Sequence, residues 1–170
     1  TLAPEGGAHQ SISTPLIGLA QDGLASFEPS FVDELALIMR FGFTYMQSME
    51  DAGRDPKTCL CDGVGGSIYL RLSTRPLEQP VRQLSVADEA NIVSGGYWLK
   101  HPGPNAEVVI AYTGAVAPEA IQAAGLLGED RRVGLLAVTS ADRLYAGWTA
   151  AGRERETGHH DARCHIERLL

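Results

Sequence analysis

The amino-acid sequence predicts an α/β protein of mostly parallel sheets with flanking helices, on two observations. Beyond residue 84, short apolar runs at 95–99, 107–113 and 133–138 alternate with helix starts at Pro118 and Ser140. Parallel strands need a crossover between them, and a helix of this length supplies one. The second observation is composition. Across 170 residues, 44% hydrophobic and 21% charged residues suit one ordinary domain or two small pieces with packed interiors.

In chain order, residues 10–24 mix small, polar and turn-forming side chains with a short apolar run at 16–19, and read as a long loop. Residues 24–27 form a brief buried strand closed by Glu28-Pro29. A helix follows over 31–49. Ser30 is its expected cap, Asp33 and Glu34 lie in the first turn, and Phe31, Leu35, Ile38, Phe41, Tyr45 and Met49 recur at three- and four-residue steps. Leu37, Met39, Phe43 and Met46 place apolar groups on its other faces, as expected of a helix buried between layers or against another subunit. Residues 58–61 and 67–72 look like strands. The second shows period-2 alternation, and residues 62–66 between them make a glycine-rich turn or bulge with no dinucleotide fingerprint. Residues 74–84, with Pro76 and Pro80, form the expected linker between domains. Residues 101–105 make a turn, Gly114 another, and Pro118 opens a helix that stops near Gly128. Ser140 caps a helix reaching Ala150. A further strand is expected to begin near Cys164, so the sheet looks cut short.

A net charge of −7 argues against a nucleic-acid surface. No run approaches the ~20 apolar residues that cross a bilayer, and no basic, apolar, small-residue start marks a secretory signal. A chain opening on Thr1 is expected of a processed or trimmed product. Cys59, Cys61 and Cys164 cannot all pair. Cys59 and Cys61 are expected on one strand face as buried thiols of a reducing, cytoplasmic compartment.

Three groups of residues could carry chemistry. In 4–11, two adjacent glycines precede His9, so an imidazole sits beside a tight turn where acid/base or hydrogen-bonding work is open to it; the alternative is a polar terminal segment. His159, His160, Asp161, Cys164 and His165 form the densest set of possible ligands, but no second cluster completes a tetrahedral site, so no metal is assigned. Glu28, Asp33 and Glu34 are candidate carboxylates that a helix start already explains. Walker, nucleophile-elbow and His-Glu-x-x-His patterns do not occur.

The segment Glu5-Gly6-Gly7-Ala8-His9-Gln10-Ser11-Ile12 resembles the Asp-Gly-Pro-Thr-His-Gln-Pro-Ile segment of transketolases. It also resembles the His-bearing loop of the homodimeric pyruvate dehydrogenase decarboxylating component, in the transketolase-like thiamine diphosphate family. Phe27-Glu28-Pro29, with residues 34–39, is closer to the dehydrogenase version. Residues 89–99 resemble the opening of that family's third domain, and Val138-Thr139-Ser140 its second-strand ending.

The resemblance implies a three-layer transketolase-like fragment. Residues 1–80 would be the end of the pyrimidine-binding middle domain and 81–170 the first part of the C-terminal domain. It implies thiamine diphosphate and Mg²⁺ in the complete enzyme, bound by parts with no counterpart here, since the Gly-Asp-Gly…Asn motif is absent. It further implies a homodimer, a lipoyl-bearing acyltransferase partner, and a substrate-facing His9 that hydrogen-bonds or passes protons to the oxygen of the 2-oxo acid or ketose. The family's doubled histidine is single here. A transketolase, a dehydrogenase for another 2-oxo acid, and a non-catalytic dimerisation module of the same fold remain alternatives.

Overall fold

A computed structural model describes residues 16, 18, 21, 23–50, 53–128 and 132–170. His9 lies outside the described residues. Strand β1 (Leu24–Phe27) forms where expected and pairs in parallel with β2 (Ser67–Leu70), with Leu24 opposite Ser67 and Phe27 opposite Leu70. Helix α1 (Val32–Gln47) connects them and packs on β2, burying Glu34, Ile38, Gly42 and Tyr45 on one face. Its start departs from expectation. Phe31 is the N-cap residue and makes no side-chain cap, while Ser30 Oγ donates to the Gly114 carbonyl at 2.8 Å. The orphan amides of Ser30 and Phe31 donate to Glu34 Oε2 at 2.7 and 3.2 Å, so a carboxylate inside the first turn closes the helix end.

The strand expected at 58–61 does not form. The Asp55 carboxylate accepts from the Lys57 amide at 3.0 Å and the Thr58 hydroxyl at 2.9 Å, and its carbonyl accepts from the Cys59 amide at 2.7 Å. This local turn outcompetes a ladder, and Cys59 takes φ 60°, outside strand geometry. Cys59 is buried beside Ala150, Ala151 and Cys164, whereas Cys61 is half-buried, so the two thiols share no strand face. Residues 62–64 make a short 3-10 turn, as the glycines there suggest.

Beyond β2 an extended segment leads to α2 (Val86–Ser94), a helix the sequence reading passed over. It is closed by a reciprocal box in which Ser85 Oγ accepts from the Asp88 amide at 3.1 Å and Asp88 accepts from the Ser85 amide at 3.2 Å. It ends on Gly95 at φ 117°, a left-handed position that favours glycine. Strands β3 (Gly96–Lys100), β4 (Val109–Tyr112) and β5 (Gly134–Val138) form a second sheet of order β3-β5-β4. β4–β5 is parallel and β3–β5 antiparallel, so the mostly parallel expectation holds except at β3. β5 is central and buried. β4, within the apolar run at 107–113, is an edge strand with Val109 and Ala111 exposed.

Helix α3 (Ala117–Leu127) has Pro118 in its first turn and stops at Gly128. Helix α4 (Ala141–Glu156) is capped by Ser140 and runs beyond its expected end. The terminal strand is instead a short helix, α5 (His165–Leu169). Its first turn is closed by the Cys164 amide donating to Glu167 at 2.8 Å and held by the Arg155–Glu167 ion pair at 3.1 Å. Among the described residues no helix is long and apolar enough to cross a membrane.

Candidate functional site

The two halves of the chain meet around a cleft of about 390 Å³ between β1, residues 53–65 and α4. Arg143 forms part of its wall and is 5% exposed. Its guanidinium donates through Nη1 and Nη2 to the two Asp62 carboxylate oxygens at 2.9 and 2.7 Å, and through Nε to the Val93 carbonyl at 2.8 Å. It also lies over the Phe41 ring at 4.7 Å. A fork this fully engaged ties α4 to the loop carrying Asp62, and leaves little capacity for a ligand anion.

Beside it, residues 139–142 run along the edge of β1 that faces away from β2. The Ser26 amide donates to Asp142 Oδ2 at 2.9 Å, and the Glu28 amide to the Thr139 carbonyl at 2.8 Å. The Ser140 hydroxyl sits between the Ser26 carbonyl, 2.5 Å away, and Asp142 Oδ1, with one hydrogen to offer the two. The N-terminus of α4 thus takes the place of a neighbouring strand. Gly18 packs on the same spot. A Cβ there would come within 2.5 Å of Ser26 Cβ and 2.9 Å of Asp142 Oδ2.

A second polar cluster is buried where α1 faces β3. Tyr97 donates to Glu34 Oε1 at 2.5 Å, with both side chains almost wholly out of solvent. Arg82, from the segment before α2, donates to Asp33 at 2.7 and 2.8 Å, to Glu34 at 3.2 Å and to the Tyr97 hydroxyl at 2.6 Å. Burial, and after it the Glu34 charge, push the Tyr97 phenol well above its ordinary range. Burial also raises the Asp33 carboxyl, but the Arg82 hydrogen bonds and charge outweigh it, and the net shift is downward. The Tyr112 hydroxyl is buried without a hydrogen-bond partner among the described residues, and its pKa is raised by burial first and by Glu34 second.

Of the residues singled out in the sequence, Glu28 pairs with Arg71 at 2.9 Å, and Asp33 and Glu34 belong to the Arg82–Tyr97 cluster. The helix-start explanation was therefore incomplete: these carboxylates also hold elements together. The 159–165 set is dispersed. His159 pairs with Glu154 at 3.1 Å, the His165 ring bonds the Gly96 carbonyl through Nε2 at 2.8 Å, and Cys164 is in a core cluster. No group of three or more His, Cys, Asp or Glu able to hold a metal occurs among the described residues. The sequence reading missed Asp142, Arg143, Asp62, Arg82 and Tyr97. Only Ser140 carried a signal, as a helix cap, and the distance in sequence from Ser26 to Asp142 hides their contact.

No known protein-family profile matches the chain. Solved transketolases from Pichia stipitis superpose on it. A mutant R356L complex with fructose-6-phosphate gives a TM-score of 0.57 at 18% identity, covering 81% of this chain and 17% of the transketolase. A complex with sedoheptulose-7-phosphate gives 0.56, with the same identity and coverage. The chain has a transketolase-like fold. In sequence it is similar to the pyruvate dehydrogenase E1 component of Mycolicibacterium smegmatis, 28% identical over 133 residues, or 76% of this chain. It spans 13% of that relative's length.

Proposed function

We propose that this chain is part of a thiamine-diphosphate-dependent 2-oxo acid dehydrogenase decarboxylating component that acts on pyruvate in the cytoplasm and transfers the acyl group to a lipoyl-bearing partner. The observation that supports it is the similarity to a pyruvate dehydrogenase E1 component across 76% of the chain, joined to a transketolase-like fold. On this reading residues 1–80 end a middle domain, 81–170 begin a C-terminal domain, and the active enzyme is a homodimer.

The described residues do not fit a site for the diphosphate and its Mg²⁺. Asp62 and Asp142, the acidic side chains of the cleft wall, are engaged by Arg143 and by Ser26 with Ser140. The cofactor, which supplies a carbanion to the substrate carbonyl, would be bound by parts of the enzyme outside this chain. What this chain brings is His9. Its imidazole would hydrogen-bond or pass protons to the substrate oxygen, a task suited to a group that donates or accepts near neutral pH.

In the full-length enzyme, pyruvate-dependent CO₂ release with an artificial electron acceptor is the expected activity. Turnover of ketose phosphates with none of 2-oxo acids would replace the proposal with the second reading, a transketolase, which the solved transketolases sharing the fold favour. His9→Ala should lower turnover about 10²-fold or more while cofactor affinity changes little. An unchanged rate would remove His9 from the mechanism.

A further inference from the structure

We propose that the cleft between β1, residues 53–65 and α4 binds a small phosphate monoester. Arg54 and Arg153 take its phosphoryl group, and the Tyr45 hydroxyl donates to an oxygen at the far end of the ligand. Binding there is separate from the turnover proposed above and is read without it.

Four observations carry it. The cleft's volume of about 390 Å³ falls within the range of small-molecule sites, roughly 300–1,000 Å³. Its charge is the second. In a chain of net charge −7, three arginines and two aspartates line the cleft among the described residues. Arg143 is spent on Asp62, and Asp142 on Ser26 and Ser140. Arg54 and Arg153 remain. The exposed Arg153 guanidinium has no partner among the described residues. Arg54 Nη1 donates to the Cys59 carbonyl at 3.2 Å, and its Nε stands 3.9 Å from Glu154, the residue before Arg153. Glu154 pairs more closely with His159, at 3.1 Å. Both guanidiniums thus lie at one end of the cleft with donors to spare.

The third observation is a pair of unused hydroxyls. Tyr45 is 8% exposed and lines the cleft, and its oxygen makes no hydrogen bond among the described residues. Burial raises its pKa, and the charges of Arg143, Asp62 and Asp142 act on it next, which sets the phenol at the end of the cleft where α4 begins. Thr149 lines the cleft one turn before Arg153. Its hydroxyl lacks the bond to the carbonyl four residues earlier that Thr44 and Ser94 make in their helices. The fourth is length. Arg143 and Arg153 are separated by about 15 Å along α4, and the wall between them carries the small side chains of Ala146 and Ala150. Two guanidiniums and a hydroxyl suit a group with three terminal oxygens and a charge of about −2 better than a carboxylate, which a single fork satisfies. The phenol at the other end requires an acceptor on the body of the ligand.

The test uses the full-length enzyme, saturated with thiamine diphosphate and Mg²⁺ so that the cofactor's own phosphate contacts are filled. Titration calorimetry follows two probes, inorganic phosphate and sorbitol 6-phosphate, a polyol phosphate with no carbonyl to react. We expect one sorbitol 6-phosphate per chain with Kd on the order of 1 mM or tighter, and inorganic phosphate weaker by about 5-fold or more. Arg153→Met should weaken both probes about 10-fold or more. Tyr45→Phe should weaken sorbitol 6-phosphate about 3- to 10-fold and leave inorganic phosphate within about 2-fold. The melting midpoint should stay at the wild-type value in both variants, because neither group loses a partner among the described residues. No saturable binding of sorbitol 6-phosphate, or an affinity that survives both Arg153→Met and Arg54→Met, overturns the inference. Equal affinity for the two probes, or an equal loss of both in Tyr45→Phe, shows that the cleft takes an ion alone and overturns the assigned ligand class. A lowered midpoint in Tyr45→Phe shows that its hydroxyl serves the fold, and removes it from the site.

Discussion

Tyr97 and Tyr112 are both buried phenols near Glu34, yet of the two only Tyr97 has a hydrogen-bond partner among the described residues, and they should respond oppositely to the same substitution. Tyr97→Phe leaves a wholly buried carboxylate short of a donor at 2.5 Å, and should destabilise by about 2–3 kcal/mol. Tyr112→Phe removes a hydroxyl with no partner among the described residues, and should be neutral or slightly stabilising. Thermal midpoints of the two variants, measured side by side, check this; equal losses would contradict it. His165 makes a pH prediction. Burial holds its pKa below the ordinary histidine value of about 6.5, so the folded state favours the neutral ring. The stability it contributes is present above the unfolded pKa and is lost as pH falls below it through the lower folded value. Melting temperature should drop between pH 7.5 and 5.5, and His165→Gln should flatten that slope.

At the scale of elements, α1 shows how an apolar helix divides its surface. Ile38, Gly42 and Tyr45 turn inward, whereas Val32, Met39, Phe43 and Met46 lie on an exposed stripe, with Phe43 56% accessible. The sequence expected burial between layers or against another subunit, and within the described residues only the first cover is present. Phe43→Ser should therefore leave the far-UV circular dichroism of the isolated chain unchanged while reducing its binding of a hydrophobic dye. A large loss of ellipticity would mean that the stripe is covered within the chain. Elements with strong local signals were legible: β1 from its short apolar run, α3 between Pro118 and Gly128, β5 from its unbroken hydrophobicity, α4 from Ser140. Those that failed were decided by local competition or by neighbours. Asp55 bent the 58–61 run into a turn, and β4 is exposed because among the described residues it has one sheet neighbour, β5.

For the whole molecule, the segment between β2 and α2 behaves as more than a linker. Arg82 reaches back to Asp33 and Glu34 and forward to Tyr97, so it joins the two halves at a largely buried point. Arg82→Met should cost about 3–5 kcal/mol, because it strands two carboxylates, and salt should screen little of the wild-type contribution. Among the described residues the β1–β2 pair is a two-stranded sheet, a unit marginal by itself, and the exposed stripe of α1 adds unburied apolar surface. The isolated 170-residue chain should accordingly lack a sharp melt followed by near-UV circular dichroism; a cooperative transition would contradict this.

The sequence by itself determined the α/β class, the positions of the strongly patterned strands and helices, and the His9 segment with its family resemblance. Each is written in neighbouring residues through periodicity, capping and turn chemistry. Only the tertiary structure decided that Ser26 meets Asp142, that Glu34 meets Tyr97 and Arg82, and that β3 runs antiparallel to β5. These contacts join residues far apart in the chain, where no local pattern records the partner. A buried polar group takes whichever partner the packing of whole elements brings to it.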